Sequence, residues 1–250
     1  LDRFTIYDVV SALKIFGNLG VTHRFMLRKL STLAIGSAES LGARSLVSVS
    51  NSLARLRVLT PKDRDFLVSA AVNAIQEDVA SGKEAVPDYY APELLYSLAL
   101  SADPKSGAGA FASSYAESNL CSGPVVNSEL VDSVVAVMPE VSESLGFNVL
   151  VDTCWALCAL EATQHSDVIQ KCVELIVQQD PKKSRPQLAK LHEVFQAIKL
   201  ELHDKISTEI PETWRDAAKN ADKEMYQRTE TAKFHANVHL VFDHIRGEGE

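Results

Sequence analysis

Cys154 and Cys158 stand four residues apart in the stretch VDTCWALCALEATQHSDV, with Trp155 between them and His165 downstream. Residues at i and i+4 share a helix face, so a thiolate pair at this spacing could begin a metal site or a redox couple. Two thiolates need two more ligands, however, and His165 falls beyond the helix end in a turn. The four cysteines, at 121, 154, 158 and 172, match no zinc ribbon or finger. The pattern therefore reads as packing, in which a free cysteine acts as a small hydrophobe, and neither a metal nor a cofactor is expected. Unpaired thiols of this kind suit a reducing compartment. His192 and His203 lie on a helix with Glu193 and Glu201, but 11 residues apart, which gives no i, i+4 zinc pair. They read as solvated or boundary side chains. No Gly-rich phosphate loop, no H-R-D or D-F-G pair and no G-x-S-x-G elbow occurs, so no catalytic residue is assigned and the chain is not read as an enzyme.

The remaining chemistry is that of charge. The chain of 250 residues carries a net −8, distributed unevenly. Residues 1–75 hold 10 Lys and Arg against 5 acids, residues 76–180 hold 3 against 16, and residues 181–250 balance at 12 against 12. A polyanion can approach the first segment, or a basic face of the last, without strong repulsion. The acidic middle suits solvent or a basic protein. Arg24, Arg28 and Lys29 fall on one helix, with Arg24 and Arg28 on a common face. Arg44, Arg55 and Arg57 flank the next helix, and Lys62 and Arg64 open the one after. Stacked equivalent helices could align these cations into one strip for phosphates; the alternative is a scatter of solvated charges. Lys182, Lys183 and Arg185 form a second basic cluster, which could equally be a solvated linker.

The elements that must position these groups are helical nearly throughout. At 46% hydrophobic and 23% charged the composition is that of a globular chain, its few aromatics favour helices, and no run of 18 apolar residues is present. Leu46, Val49, Leu53 and Leu56 fall on one face. Thr60 and Pro61 then cap and start a second helix whose apolar residues are Phe66, Leu67, Ala70 and Ile75. The hairpin recurs. Phe16, Leu19 and Val21 overlay Leu53, Leu56 and Val58 at a shift of 37, Leu157, Leu160 and Ala162 do so at 104, and APELLYSLALSA is a weaker copy at 45. On this register Cys154 takes the place of Ser50 and Cys158 that of Ala54. The fold expected is all-α, an α-solenoid of about five irregular helical hairpins.

Residues 1–180 would form the repeat array, with a loop-rich stretch over 101–123, and 181–250 a C-terminal helical extension. In that extension PKKSRP reads as a linker over 181–186. Leu188, Leu191, Val194, Phe195, Ile198 and Leu202 line one amphipathic helix, Trp214 follows Pro211 as a docking point, and a short helix closes the chain over 233–245. The chain starts at Leu1 and reads as a processed or partial product.

The order of these pieces resembles the FAST-kinase-like helical-repeat region of RAP-domain proteins, including the heptatricopeptide-type repeats. Trp155, Leu157 and Leu160 match that family's W-x-L-x-x-L hairpin. Leu188, Leu191, Ile198, Leu200 and Glu201 match its Leu-rich helix. One departure is that the family continues into a C-terminal RAP domain of nuclease-like α/β fold, where this chain stops. The resemblance implies a mitochondrial, non-catalytic, RNA-associated protein, either a ribosome-associated component contacting rRNA or an organellar RNA processing or stability factor. Phosphate contacts would fall on Arg24, Arg28, Lys29, Arg44, Arg55 and Arg57, with Lys182, Lys183 and Arg185 as the second cluster. Basic proteins would meet the acidic middle, and no membrane insertion is expected. The competing expectation is a protein–protein scaffold of a large mitochondrial complex without RNA. No base-reading code recurs at corresponding repeat positions, so sequence-specific reading is not expected.

Overall fold

A computed structural model describes residues 4–20, 23–82, 86–102, 126–142, 144–180 and 185–224. Among these the chain is all-α, without strands. The helices are α1 (Ile6–Leu19), α2 (Arg24–Gly36), α3 (Ala43–Arg55), α4 (Pro61–Ser81), α5 (Tyr90–Ala102), α6 (Ser128–Ala136), α7 (Phe147–Ala159), α8 (Ser166–Val177) and α9 (Arg185–Glu201). A further helix, α10, covers 212–224. Most of 101–123, the linker residues 181–184 with Lys182 and Lys183, and the closing segment 233–245 lie outside the described residues. No helix among those described is long and apolar enough to cross a membrane.

The packing alternates. Helix α1 lies against α3, α3 against α5, α5 against α7 and α7 against α9, forming one row. Helices α2, α4, α6 and α8 each pack on the odd-numbered helix before them, and α4 also touches α6. Two layers of antiparallel hairpins result, compatible with an α-solenoid. The core runs between the layers. Leu46, Val49, Leu53 and Leu56 are all buried, as are Leu188, Leu191, Val194, Phe195, Ile198 and Leu202.

The repeat register reappears in the backbone. After α3, the Val58 amide donates to the Leu53 carbonyl and the Arg57 amide to Ala54; after α7, Ala162 donates to Leu157 and Glu161 to Cys158. These are paired Schellman closures. Both place a non-glycine residue in the left-handed region, Arg57 at φ 56° and Glu161 at φ 54°. Two hairpins 104 residues apart thus close their first helix with the same hydrogen bonds. Thr60 caps α4 by accepting from the Asp63 amide, with Pro61 in the first turn, as its sequence position suggests.

Several expectations change. Phe66 is exposed, because the buried face of α4 runs through Leu67, Val68, Ala71, Val72 and Ile75. At the overlay of 37, Phe16 is only half-buried and Leu19 is 72% exposed. Among the described residues α1 has a row neighbour on one side alone, so it buries Val9 and Leu13 instead; Val21 lies outside the described residues. Ser101 is helical, in the last turn of α5, and the proposed linker ends early, since Arg185 and Pro186 already belong to α9. Helix α9 packs on α7 and extends the row. Trp214 is 1% exposed: its indole N–H donates to the Val177 carbonyl at 3.2 Å and its ring stacks on Phe147. The docking point therefore docks on the array itself and fastens α10 to it.

Helices α1 and α3 approach closely at Gly17, where an added Cβ would lie 3.1 Å from Ser52 Cα. Ala would gain about 1 kcal/mol of helix propensity, but backbone cannot yield as a side-chain tip can, and overpacking costs about 1–3 kcal/mol. Gly17→Ala is therefore expected to destabilise by up to about 2 kcal/mol. A urea midpoint at or above wild type would show that the helices separate freely here.

Candidate nucleic-acid interface

The cysteine stretch that invites chemistry lies in the core. Cys154 and Cys172 are buried and Cys158 is half-buried. The Cys154 thiol points at the Ile169 carbonyl, 3.7 Å away on α8, so the small side chain lets α7 and α8 close together. Its counterpart Ser50 is also fully buried, with no hydrogen-bond partner for its hydroxyl among the described residues. Burial raises the Cys154 thiol well above the ordinary range, and burial followed by the nearby Glu201 carboxylate pushes Cys158 up to about 12. Burial thus disfavours the thiolate at both positions, the form a nucleophile needs.

The sign of the linkage follows. The native protein keeps protons that the unfolded chain releases above its ordinary thiol value of 9.0, so this contribution to stability is intact below pH 9.0 and is lost as pH rises toward about 12. Cys158 should also resist iodoacetamide at pH 8 until denaturant is added. Rapid native-state labelling of Cys158, seen by peptide mass spectrometry, would contradict the burial.

A concavity lies on the outer face of the odd-numbered row, across α1, α3 and the start of α5. It is a groove of about 530 Å³. Helix α1 lines it with Tyr7, Ser11, Lys14 and Asn18, and α3 with Arg44, Ser48, Asn51 and Arg55. Spacings of three or four residues place each set on one helix face, opposite the buried leucines. The two sets are equivalent at the shift of 37: Tyr7 with Arg44, Ser11 with Ser48, Lys14 with Asn51, Asn18 with Arg55. At 45 further on, Arg44 corresponds to Tyr89 and Ser48 to Glu93, which line the far side.

Three cations and one carboxylate share this groove. Arg55 Nε donates to Asn51 Oδ1 at 2.9 Å, and the Asn51 side chain favours the ionised form of the half-buried Glu93 carboxylate. Burial raises the affinity of Glu93 for its proton, while Asn51, Arg55 and Lys14 act against that shift. Tyr7 and Tyr89 are exposed, at 64% and 42%, and Tyr89 also meets the Tyr90 ring in a T-shaped contact at 5.2 Å.

Beyond α5 the same face is closed by its own side chains. Lys190 on α9 donates to Asp152 at 2.6 Å and to the Tyr96 hydroxyl at 3.1 Å, with its ammonium 4.3 Å from the Tyr96 ring centre. Tyr96 packs on Trp155, whose indole donates to Glu193 at 2.6 Å. Arg55 joins the two halves, 5.9 Å over the Tyr96 ring.

Of the sequence-assigned cations, the structure brings Arg44 and Arg55 together. Arg24, Arg28 and Lys29 are exposed on α2, in the other row, and do not line the groove; Lys29 sits 4.6 Å from the Phe25 ring centre. Arg57 is exposed at the α3–α4 corner. Arg64 does not join a surface strip: it is 1% exposed and bonded to Asp65. Arg185 pairs with Glu224 on α10 at 3.0 Å. Among the histidines, His165 meets Asp132 at 2.7 Å, His192 faces Asp222 at 4.0 Å, and His203 is exposed beside Asp204. Lys14, Asn18, Asn51 and the tyrosines escaped the sequence reading because no cluster of charge announces them. Their signal is the recurrence of polar residues at one helix position under the repeat shifts.

No family model matches this chain, and no curated protein matches it.

Proposed function

We propose that this chain is a non-catalytic, RNA-associated helical-repeat protein of mitochondria, in the ribosome or among organellar RNA processing and stability factors, with RNA bound in the groove across α1, α3 and α5. The observation that carries the reading is the composition of that groove. Lys14, Arg44 and Arg55 offer positive charge for phosphates, exposed tyrosines offer faces on which unpaired bases stack, and amides offer hydrogen bonds to base edges. The resemblance to the helical repeats of RAP-domain proteins supports the mitochondrial setting. The acidic segment over 76–180 would turn toward basic proteins of the same assembly. Crosslinking of the native protein tests this: RNA should be recovered, with crosslinks mapping to Tyr7, Tyr89 and the peptides carrying Arg44 and Arg55. Recovery of protein alone would refute it.

The second reading, a scaffold subunit of a mitochondrial complex, is favoured by the first hairpin. Ile15 and Leu19 on α1 and Phe25, Met26 and Leu33 on α2 are all exposed, an apolar concentration typical of protein contacts.

A further inference from the structure

The groove is not lined only by cations. Glu93 is the single acid among its lining residues, and it stands where Ser48 stands in the preceding helix. A carboxylate weakens a site built for phosphate alone, so its presence calls for a ligand that brings hydrogen-bond donors. Arg55 occupies the Asn51 oxygen at 2.9 Å, so the Asn51 side chain turns its donor amino group to the groove that Glu93 also lines. An ionised carboxylate has about four acceptor positions, enough to take two donors from a ligand.

We infer that the groove holds one unpaired guanine of a single-stranded RNA, read at its Watson–Crick edge by the Glu93 carboxylate beside Asn51. The inference rests on the RNA reading above and narrows it to a base. Guanine alone among the four RNA bases presents two adjacent donors on one edge, N1–H and the N2 amino group, which match the two oxygens of a carboxylate. Adenine and cytosine set one donor beside a ring-nitrogen acceptor, whose lone pair would face the second oxygen. Uracil flanks its one N–H with two carbonyls. Tyr7 and Tyr89, at equivalent positions on either side of α3, provide ring faces for the extruded base and its neighbour, while Lys14 and Arg44 remain for phosphates. The selectivity sits at one position and needs no code repeated along the array, because beyond α5 the corresponding face is filled by Tyr96, Trp155 and Lys190.

Fluorescence anisotropy with the full chain tests this, using oligouridylates that carry one central guanosine, inosine, adenosine or cytidine. The guanosine oligomer should bind about tenfold tighter than the adenosine and cytidine ones, the gain of one bidentate base contact. Inosine, which keeps N1–H but lacks the amino group, should fall between them. Glu93→Gln should bring guanosine and inosine to within about twofold of each other while oligouridylate is still bound. If Glu93 served only to neutralise Arg55 and Lys14, the same variant would strengthen binding of every oligomer alike, and the inference would fail. Equal affinity of the wild type for all four would also overturn it. Absence of binding to any oligomer would refute the RNA reading itself. Competition by an arginine-bearing peptide that also leaves Glu93→Gln unbound would assign the groove to a basic protein instead.

Discussion

Arg44→Glu and Arg55→Glu combined are expected to lower affinity for single-stranded RNA by about a hundredfold or more. Each substitution removes one charge-assisted hydrogen bond to phosphate, worth about 1.5–3 kcal/mol, and each glutamate adds repulsion. Both side chains are exposed, so the fold should be retained, which circular dichroism can verify. The salt dependence provides a second readout. The slope of log K against log salt should shrink by roughly 0.7 for each phosphate of the single strand that is no longer neutralised. Reversal of Arg24 and Arg28, in the other helix row, should weaken binding far less. If that pair proves dominant while Arg44 and Arg55 are silent, RNA lies along the even-numbered helices and the groove is not its site.

Leu53→Ala and Leu157→Ala should each cost about 2–5 kcal/mol of stability. Both leucines are 0% exposed, and each carbonyl closes a Schellman turn, so the two lesions fall at the same point of two hairpins. The loss combines transfer of the missing methyl groups with a cavity that packed neighbouring helices cannot collapse. In a stacked array the opening is expected to be local at first, so hydrogen exchange should accelerate around α3 and α4 for one variant and α7 and α8 for the other. Leu200→Ala, on the exposed face of α9, serves as the control and should stay within about 0.5 kcal/mol of wild type. A small effect at Leu53 would show that the core is looser than its burial indicates.

Local pattern was enough for much of this protein. Leucines at helical spacing imply helices wherever the chain has them, and Thr60–Pro61 marks a helix start because a hydroxyl cap and a donor-free proline both suit the first turn. The shift of 104 was legible too, since Leu53 and Leu157 are both fully buried and the two helices close with the same backbone bonds. Cys154 reads as packing because a small residue stands there in its counterpart. Phe66 and Leu19 show where pattern fails. An apolar residue on a helix is buried only if a neighbour covers its side, and periodicity does not say how wide that cover is.

The candidate site was legible only in part, for a reason of geometry. Arg24, Arg28 and Lys29 are near Arg44 in sequence, yet α2 and α3 belong to different rows, so a basic segment in the chain does not become a basic strip on the surface. Within a row it is alternate helices that lie side by side. That packing, not sequence proximity, sets Lys14 beside Arg55 and brings Glu93 and Tyr89 across to them from α5. Likewise nothing in the sequence distinguished Lys190, held between Asp152 and Tyr96, from a lysine open to solvent. The sequence by itself determined which residues are helical, which face of most helices is apolar and where the cations lie along the chain. Only the tertiary structure decided which polar faces share a groove, because that depends on helices far apart in sequence being pressed together by the leucines on their opposite sides.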